Sequence, residues 1–184
     1  CKRQINHGSN YKNKNKSERF VYNKDDFGTN LRITEIQSFA GIEQLKNLKN
    51  IQKKRERISK IYFDLILKYQ KYFYSYYPSK NIKSAWYRFY FFIKRDIKNY
   101  KILRFKIIKN LKKNNIKCFT GSCPEIYLEK AFTKSNRFKF KRLENCKILG
   151  ETSIALDVNH THTLLKHKNN ALIMKSVFEN FFYK

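Results

Sequence analysis

Turn-forming residues and acids are scarce in this chain. Two prolines and five glycines in 184 residues leave no Pro-rich or Gly/Ser-rich linker tract. Fourteen Asp and Glu face 41 Lys and Arg, giving a formal charge of +27. Four cysteines (Cys1, Cys118, Cys123 and Cys146) form no C-x-x-C pair and no metal-ligand spacing, so reduced cytosolic thiols are the expectation. No apolar run is long enough to span a bilayer. No secretory apolar segment precedes the N-x-S/T matches at Asn15 and Asn159, which therefore carry little weight. A soluble, cytoplasmic protein without membrane contact is expected.

What is abundant is Lys, Asn, Ile, Tyr and Phe together. The basic excess invites a nucleic-acid reading. Lysine outnumbers arginine, however, whereas a surface selected to read phosphates and bases favours the bidentate guanidinium. The composition reads instead as a coding bias drifting surface positions to Lys and Asn. A basic nucleic-acid-binding module stays as the rival function, and an oligonucleotide titration across a salt series separates it.

Residues 10–23 are polar and aperiodic, an exposed loop. The pattern predicts a helix from Thr34 to about Tyr69, bent near Asn47 to Asn50, with a stripe of Leu48, Ile51, Arg55, Ile58, Tyr62, Leu65 and Ile66. The Lys53–Arg57 run reads as a solvated face. Ala85–Ile93 (AWYRFYFFI) is an aromatic, β-prone run that predicts a buried strand; a base-stacking platform is the alternative. An amphipathic helix is expected over Asn99–Asn114 through Ile102, Phe105, Ile108 and Leu111. Ile116–Phe119 reads as a short strand, Lys141–Leu149 as a helix, Ser153–Leu156 as a strand and Leu164–Phe182 as a terminal helix. Alternating strands and helices define an α/β layer arrangement. His160-Thr161-His162 could be a metal pair, but no third ligand is evident and no metal is assigned.

Asp26–Leu45 (DFGTNLRITEIQSFAGIEQL) carries the most information. Thr34 and Gln37 have capping-box spacing, and Ile36, Phe39, Ala40 and Ile42 recur at helical spacing as if to face a core. A helix start preceded by Gly28, Asn30 and Arg32 is a natural anion site, because free N–H groups, the helix dipole and a guanidinium converge there.

The wording of this block resembles the segment that follows the cofactor lysine in the DegT/DnrJ/EryC1/StrS family of pyridoxal-phosphate-dependent sugar aminotransferases. The matching residues are Phe27-Gly28-x-Asn30-x-Arg32-x-Thr34-Glu35, with Gly41 and Gln44-Leu45 following. A second block, Gly121 to Phe132 (GSCPEIYLEKAF), is similar to a substrate-side loop in one branch of the family. A third, Leu149 to Leu156 (LGETSIAL), is similar to the short strand near the family's C-terminus. Cys1–Ser9 resembles the Arg-x-x-x-His-Gly segment beyond the cofactor lysine, which places that lysine upstream of Cys1.

The resemblance implies the C-terminal small domain of a fold-type I enzyme, with a mixed or antiparallel sheet and flanking helices, plus a connecting arm and long helix. Residues 1–47 would end the cofactor-binding domain, and residues 48–184 would form the linking helix and small domain. The implied cofactor is pyridoxal 5′-phosphate, and the implied reaction transfers an amino group from glutamate or glutamine to a nucleotide-linked keto-sugar, as in amino-sugar and surface-polysaccharide synthesis. A sugar dehydratase of the same family is the alternative. Asn30, with Arg32, would grip the cofactor phosphate of the other subunit of a homodimer. His7, Ser122, Cys123, Glu125 and Tyr127 would stand on the substrate side. No catalytic residue is expected in this chain, which would be inactive alone. The family's His-Pro after the last strand is replaced by Val158-Asn159-His160-Thr161.

Overall fold

The computed structural model describes residues 29–134 and 141–183. His7 and the rest of the N-terminal block, with Phe27 and Gly28, lie outside the described residues. Two compact units divide between Leu48 and Lys49.

In the first unit, the capping box forms as spaced. The Gln37 amide donates to Thr34 Oγ1 (3.3 Å), and the Thr34 amide donates to Gln37 Oε1 (3.0 Å). It starts helix α1, Glu35–Lys68. The helix continues through Asn47 and Asn50, where the sequence predicts a bend. Asn47 is accommodated because its Nδ2 donates to Glu43 O at 3.3 Å within the helix. The expected core face of this part is overturned: Ile36 is 83% and Phe39 69% exposed, and Ala40 and Ile42 are exposed too. Their helical spacing is real, but no element of their own unit packs on them among the described residues.

In the second unit, α1 buries Ile58, Tyr62, Leu65 and Ile66, the later part of the predicted stripe; its beginning departs from the expectation, since Leu48 is 42% exposed and Ile51 and Arg55 are only half-buried. Strands β1 (Phe73–Tyr74), β2 (Arg88–Ile93), β3 (Cys118–Phe119) and β4 (Ser153–Asp157) form one sheet in the order β1-β2-β4-β3. Every pairing is antiparallel; Phe91 faces Ile154, and Phe119 faces Ala155. Alternation on β2 sends Phe89, Phe91 and Ile93 into the core and Arg88, Tyr90 and Phe92 to the other side. The aromatic run is therefore core on one face, with Phe73 meeting Phe91 at 5.3 Å and Phe178 at 4.6 Å between ring centroids. β1, two residues long, escapes any sequence pattern.

Helix α2 (Tyr100–Lys113) buries Arg104, Ile107, Ile108 and Leu111. This corrects the expected face, since Ile102 and Phe105 are more than half exposed. Residues 104, 107, 108 and 111 cluster on one face more tightly than the predicted set, and a polar Arg104 concealed it. The helix ends where Asn114-Asn115 predict, with Asn115 in the left-handed region (φ 59°). A 3₁₀ turn (Ile126–Leu128), the short α3 (Lys130–Thr133), α4 (Glu144–Thr152) and α5 (Leu164–Phe182) complete the unit. Before α5, Asn159 Oδ1 accepts from the amide (2.9 Å) and hydroxyl (2.8 Å) of Thr161. This Asx turn shapes the loop in which the proline is missing.

Candidate functional site

Two polar clusters emerge, one in each unit. In the first, Asn30 Oδ1 accepts from the Arg32 amide at 3.3 Å and from Arg32 Nε at 3.2 Å. This contact uses neither the Asn30 Nδ2 donors nor the Arg32 Nη groups. Both side chains are exposed. The set offers donors, the requirement for a phosphate monoester. Its chemistry therefore fits the phosphate of pyridoxal 5′-phosphate. The helix contributes less than its sequence suggests, because the capping box already uses the Thr34 and Gln37 amides.

The second cluster is the loop after β3. Gly121 takes φ +102°, and a Cβ there would stand 3.1 Å from both Ser153 Oγ and the Tyr90 ring, so the turn requires glycine. Ser122 Oγ lies 3.4 Å from Tyr90 Oη. Cys123 Sγ donates to Glu129 Oε1 at 3.3 Å, and this carboxylate raises the thiol's pKa. A thiol held in its protonated form is a poor nucleophile.

Glu125 and Tyr127 serve each other. Arg142 clamps the Glu125 carboxylate through Nε and Nη2, each at 2.9 Å. Tyr127 Oη donates to Glu125 Oε1 at 2.9 Å and accepts from the Leu143 amide at 2.9 Å. Arg142, followed by the Tyr127 hydrogen bond, lowers the Glu125 pKa. This knot ties the loop to the start of α4 and leaves Ser122 and Cys123 as its exposed polar tip.

Buried Arg104 anchors the other end. Its Nη1 donates to Gly150 O (2.7 Å) and its Nη2 to Thr120 O (2.9 Å). Ser153 Oγ donates to the same Thr120 oxygen at 2.6 Å. Sequence reasoning missed Arg104, Arg142 and Tyr90. Arg104 left one signal, a single cation on a stripe otherwise made of Ile107, Ile108 and Leu111. Arg142 left none, because its partner lies 17 residues away across residues 135–140.

No cluster of three ligating side chains gathers around His160 and His162 among the described residues. Instead His167 is the organised histidine. It is 2% exposed, its Nε2 lies 3.1 Å from Asn159 O, and its Nδ1 lies 2.9 Å from Tyr62 Oη. The carbonyl can only accept, so Nε2 carries the proton and Tyr62 donates to Nδ1.

A four-stranded antiparallel sheet flanked by helices, entered by a long helix and bearing a polar loop at one strand end, defines the C-terminal type of α/β domain that the sequence implies. The model of the DegT/DnrJ/EryC1/StrS aminotransferase family matches residues 1–177. The chain belongs to that family. Aminotransferases of this family use pyridoxal 5′-phosphate.

An aminotransferase from Psychrobacter cryohalolentis superposes with a TM-score of 0.85 at 28% identity, covering 96% of this chain and 47% of that one. Helicobacter pylori PseC, an aminotransferase of pseudoaminic acid biosynthesis, gives 0.80 at 24% identity over 98% and 45%. An uncharacterised Methanocaldococcus jannaschii protein is 30% identical over 146 residues, 76% of this chain and 35% of the relative. The chain thus spans less than half the length of the proteins it matches. No described helix is long and apolar enough to cross a membrane.

Proposed function

We propose that this chain is the C-terminal part of a pyridoxal-phosphate-dependent aminotransferase that acts on a nucleotide-linked keto-sugar, with glutamate or glutamine as amino donor. Asn30 and Arg32 hold the cofactor phosphate of the opposite subunit in a homodimer. The Gly121 loop forms the sugar-side wall, with Ser122 and Cys123 at its tip and Glu125 and Tyr127 positioning it. The observation that carries this reading is the exposed Asn30 side chain, bonded to Arg32 through its oxygen with its amide donors outside that contact, within a family match over residues 1–177. The bound cofactor supplies the electron sink for amino transfer; this chain binds and orients. The exposed apolar side chains of Ile36, Phe39 and Ile42 on α1 support the dimer, because exposed apolar surface of this kind marks an interface.

The test is complementation in a whole subunit reconstituted around this chain. Subunits carrying Asn30→Ala are mixed with subunits whose cofactor lysine is replaced. Clamping across the dimer predicts that each mixed dimer regains one working site. If Asn30 serves its own subunit's cofactor, no activity returns, and the proposed arrangement is wrong.

A further inference from the structure

One cavity is lined wholly by residues of the second unit. It measures about 200 Å³ and opens between α1 and the segment leading into β2. Pro78, Ile82 and Trp86 give it an apolar wall. Three lysines also line it, Lys49 and Lys53 one helical turn apart and Lys83, with Glu56 as the single acidic lining residue. None of these three lysines makes an ion pair among the described residues.

The wall is held in a costly conformation. Trp86 has φ 46°, a left-handed geometry that is a genuine outlier for a bulky side chain. Its amide donates to Ser84 Oγ at 3.2 Å, and Arg55 Nη1 donates to the adjoining Ala85 oxygen at 3.5 Å. The indole is fixed against Tyr77 (5.1 Å) and Phe89 (6.2 Å) and is 8% exposed. Such strain persists only where its surroundings enforce it, and it concentrates at ligand sites.

We infer that this cavity binds a small aryl phosphate monoester, its ring on the Pro78–Ile82–Trp86 wall and its phosphate among Lys49, Lys53 and Lys83. Three cations less one carboxylate leave two positive charges, matching a phosphate that carries about −1.5 to −2 at neutral pH. Lysine serves phosphate as a point charge, whereas a carboxylate ligand would favour the arginine fork. The cavity is smaller than the roughly 300–1,000 Å³ typical of sites for drug-sized ligands, which limits the guest to about one ring and its phosphate.

Trp86 is the chain's single tryptophan, so its fluorescence reports the site directly. The full chain is titrated with phenyl phosphate, and separately with phenol and with inorganic phosphate, at physiological salt. The site predicts a saturable Trp86 response to phenyl phosphate, at concentrations at least about tenfold below those needed for either fragment. The Lys53→Ala/Lys83→Ala variant should weaken binding about tenfold. Lys109→Ala/Lys113→Ala, on α2 outside the cavity, should bind like the parent. Far-ultraviolet circular dichroism confirms that both variants fold, and if the cavity variant does not, Lys53→Gln alone takes its place. An equal response to inorganic phosphate, an equal loss in the α2 variant, or no saturable response would each overturn the inference.

Discussion

Gly150→Ala should destabilise the chain although glycine is a poor helix residue. Gly150 lies in α4, where alanine would gain at most about 1 kcal/mol of helix propensity. A Cβ at this position would stand 2.3 Å from Pro124 Cγ and 2.6 Å from Pro124 Cβ. A proline ring cannot swing aside as a flexible chain end would, so either α4 or the Gly121 loop must shift. Overpacking of this kind costs about 1–3 kcal/mol. A shift also strains the 2.7 Å bond from Arg104 to the Gly150 oxygen. The clash offsets or outweighs the propensity gain, leaving a net loss of up to about 2 kcal/mol. With a urea slope of about 2 kcal/mol/M, the unfolding midpoint falls by up to about 1 M. Gly41→Ala is the internal control, because nothing lies within 4 Å of its Cβ in α1. It should raise helix stability by up to about 1 kcal/mol. If both substitutions stabilise equally, the tight seating of Pro124 on α4 is wrong.

Other consequences can be measured on the same chain. Arg104→Ala removes charge-assisted bonds to two carbonyls and should cost about 2–4 kcal/mol by urea unfolding; no loss would make the anchor incidental. Burial lowers the His167 pKa below its ordinary 6.5, so the unfolded chain binds the proton more readily. Stability from this residue is complete above pH 6.5 and declines as pH falls through the lowered folded value. His167→Gln should flatten that part of the stability–pH curve, and an unchanged slope would assign it elsewhere. Phe39→Ser, at an exposed position, should leave stability within about 0.5 kcal/mol; a loss above 2 kcal/mol would mean that Phe39 is buried in the isolated chain.

Local chemistry was the legible part of the sequence. Thr34 and Gln37 announced their cap because both partners lie within one turn, and Asn115 announced the end of α2 through its tolerance of positive φ. Ile58, Tyr62, Leu65 and Ile66 were readable because an apolar stripe nearly always meets a core. The same rule misled at Ile36 and Phe39, where the pattern is present and the covering surface is not within its unit. It misled again on α2, where a buried Arg104 broke the stripe that Ile107, Ile108 and Leu111 complete. The Glu125–Arg142 clamp and the Tyr90–Ser122 contact join residues 17 and 32 positions apart, and single-sequence periodicity carries no record of such pairings. Asn30 and Arg32, two residues apart, could be singled out together, although which atoms they exchange could not.

The measurement closest to the central claim compares pyridoxine 5′-phosphate with pyridoxine in the reconstituted subunit, with and without Asn30→Ala. Neither compound has an aldehyde, so the many surface lysines do not capture them. A phosphate clamp predicts that the substitution weakens the phosphorylated compound about 10- to 100-fold and leaves pyridoxine unchanged. Equal effects on both compounds, or none on either, would contradict it.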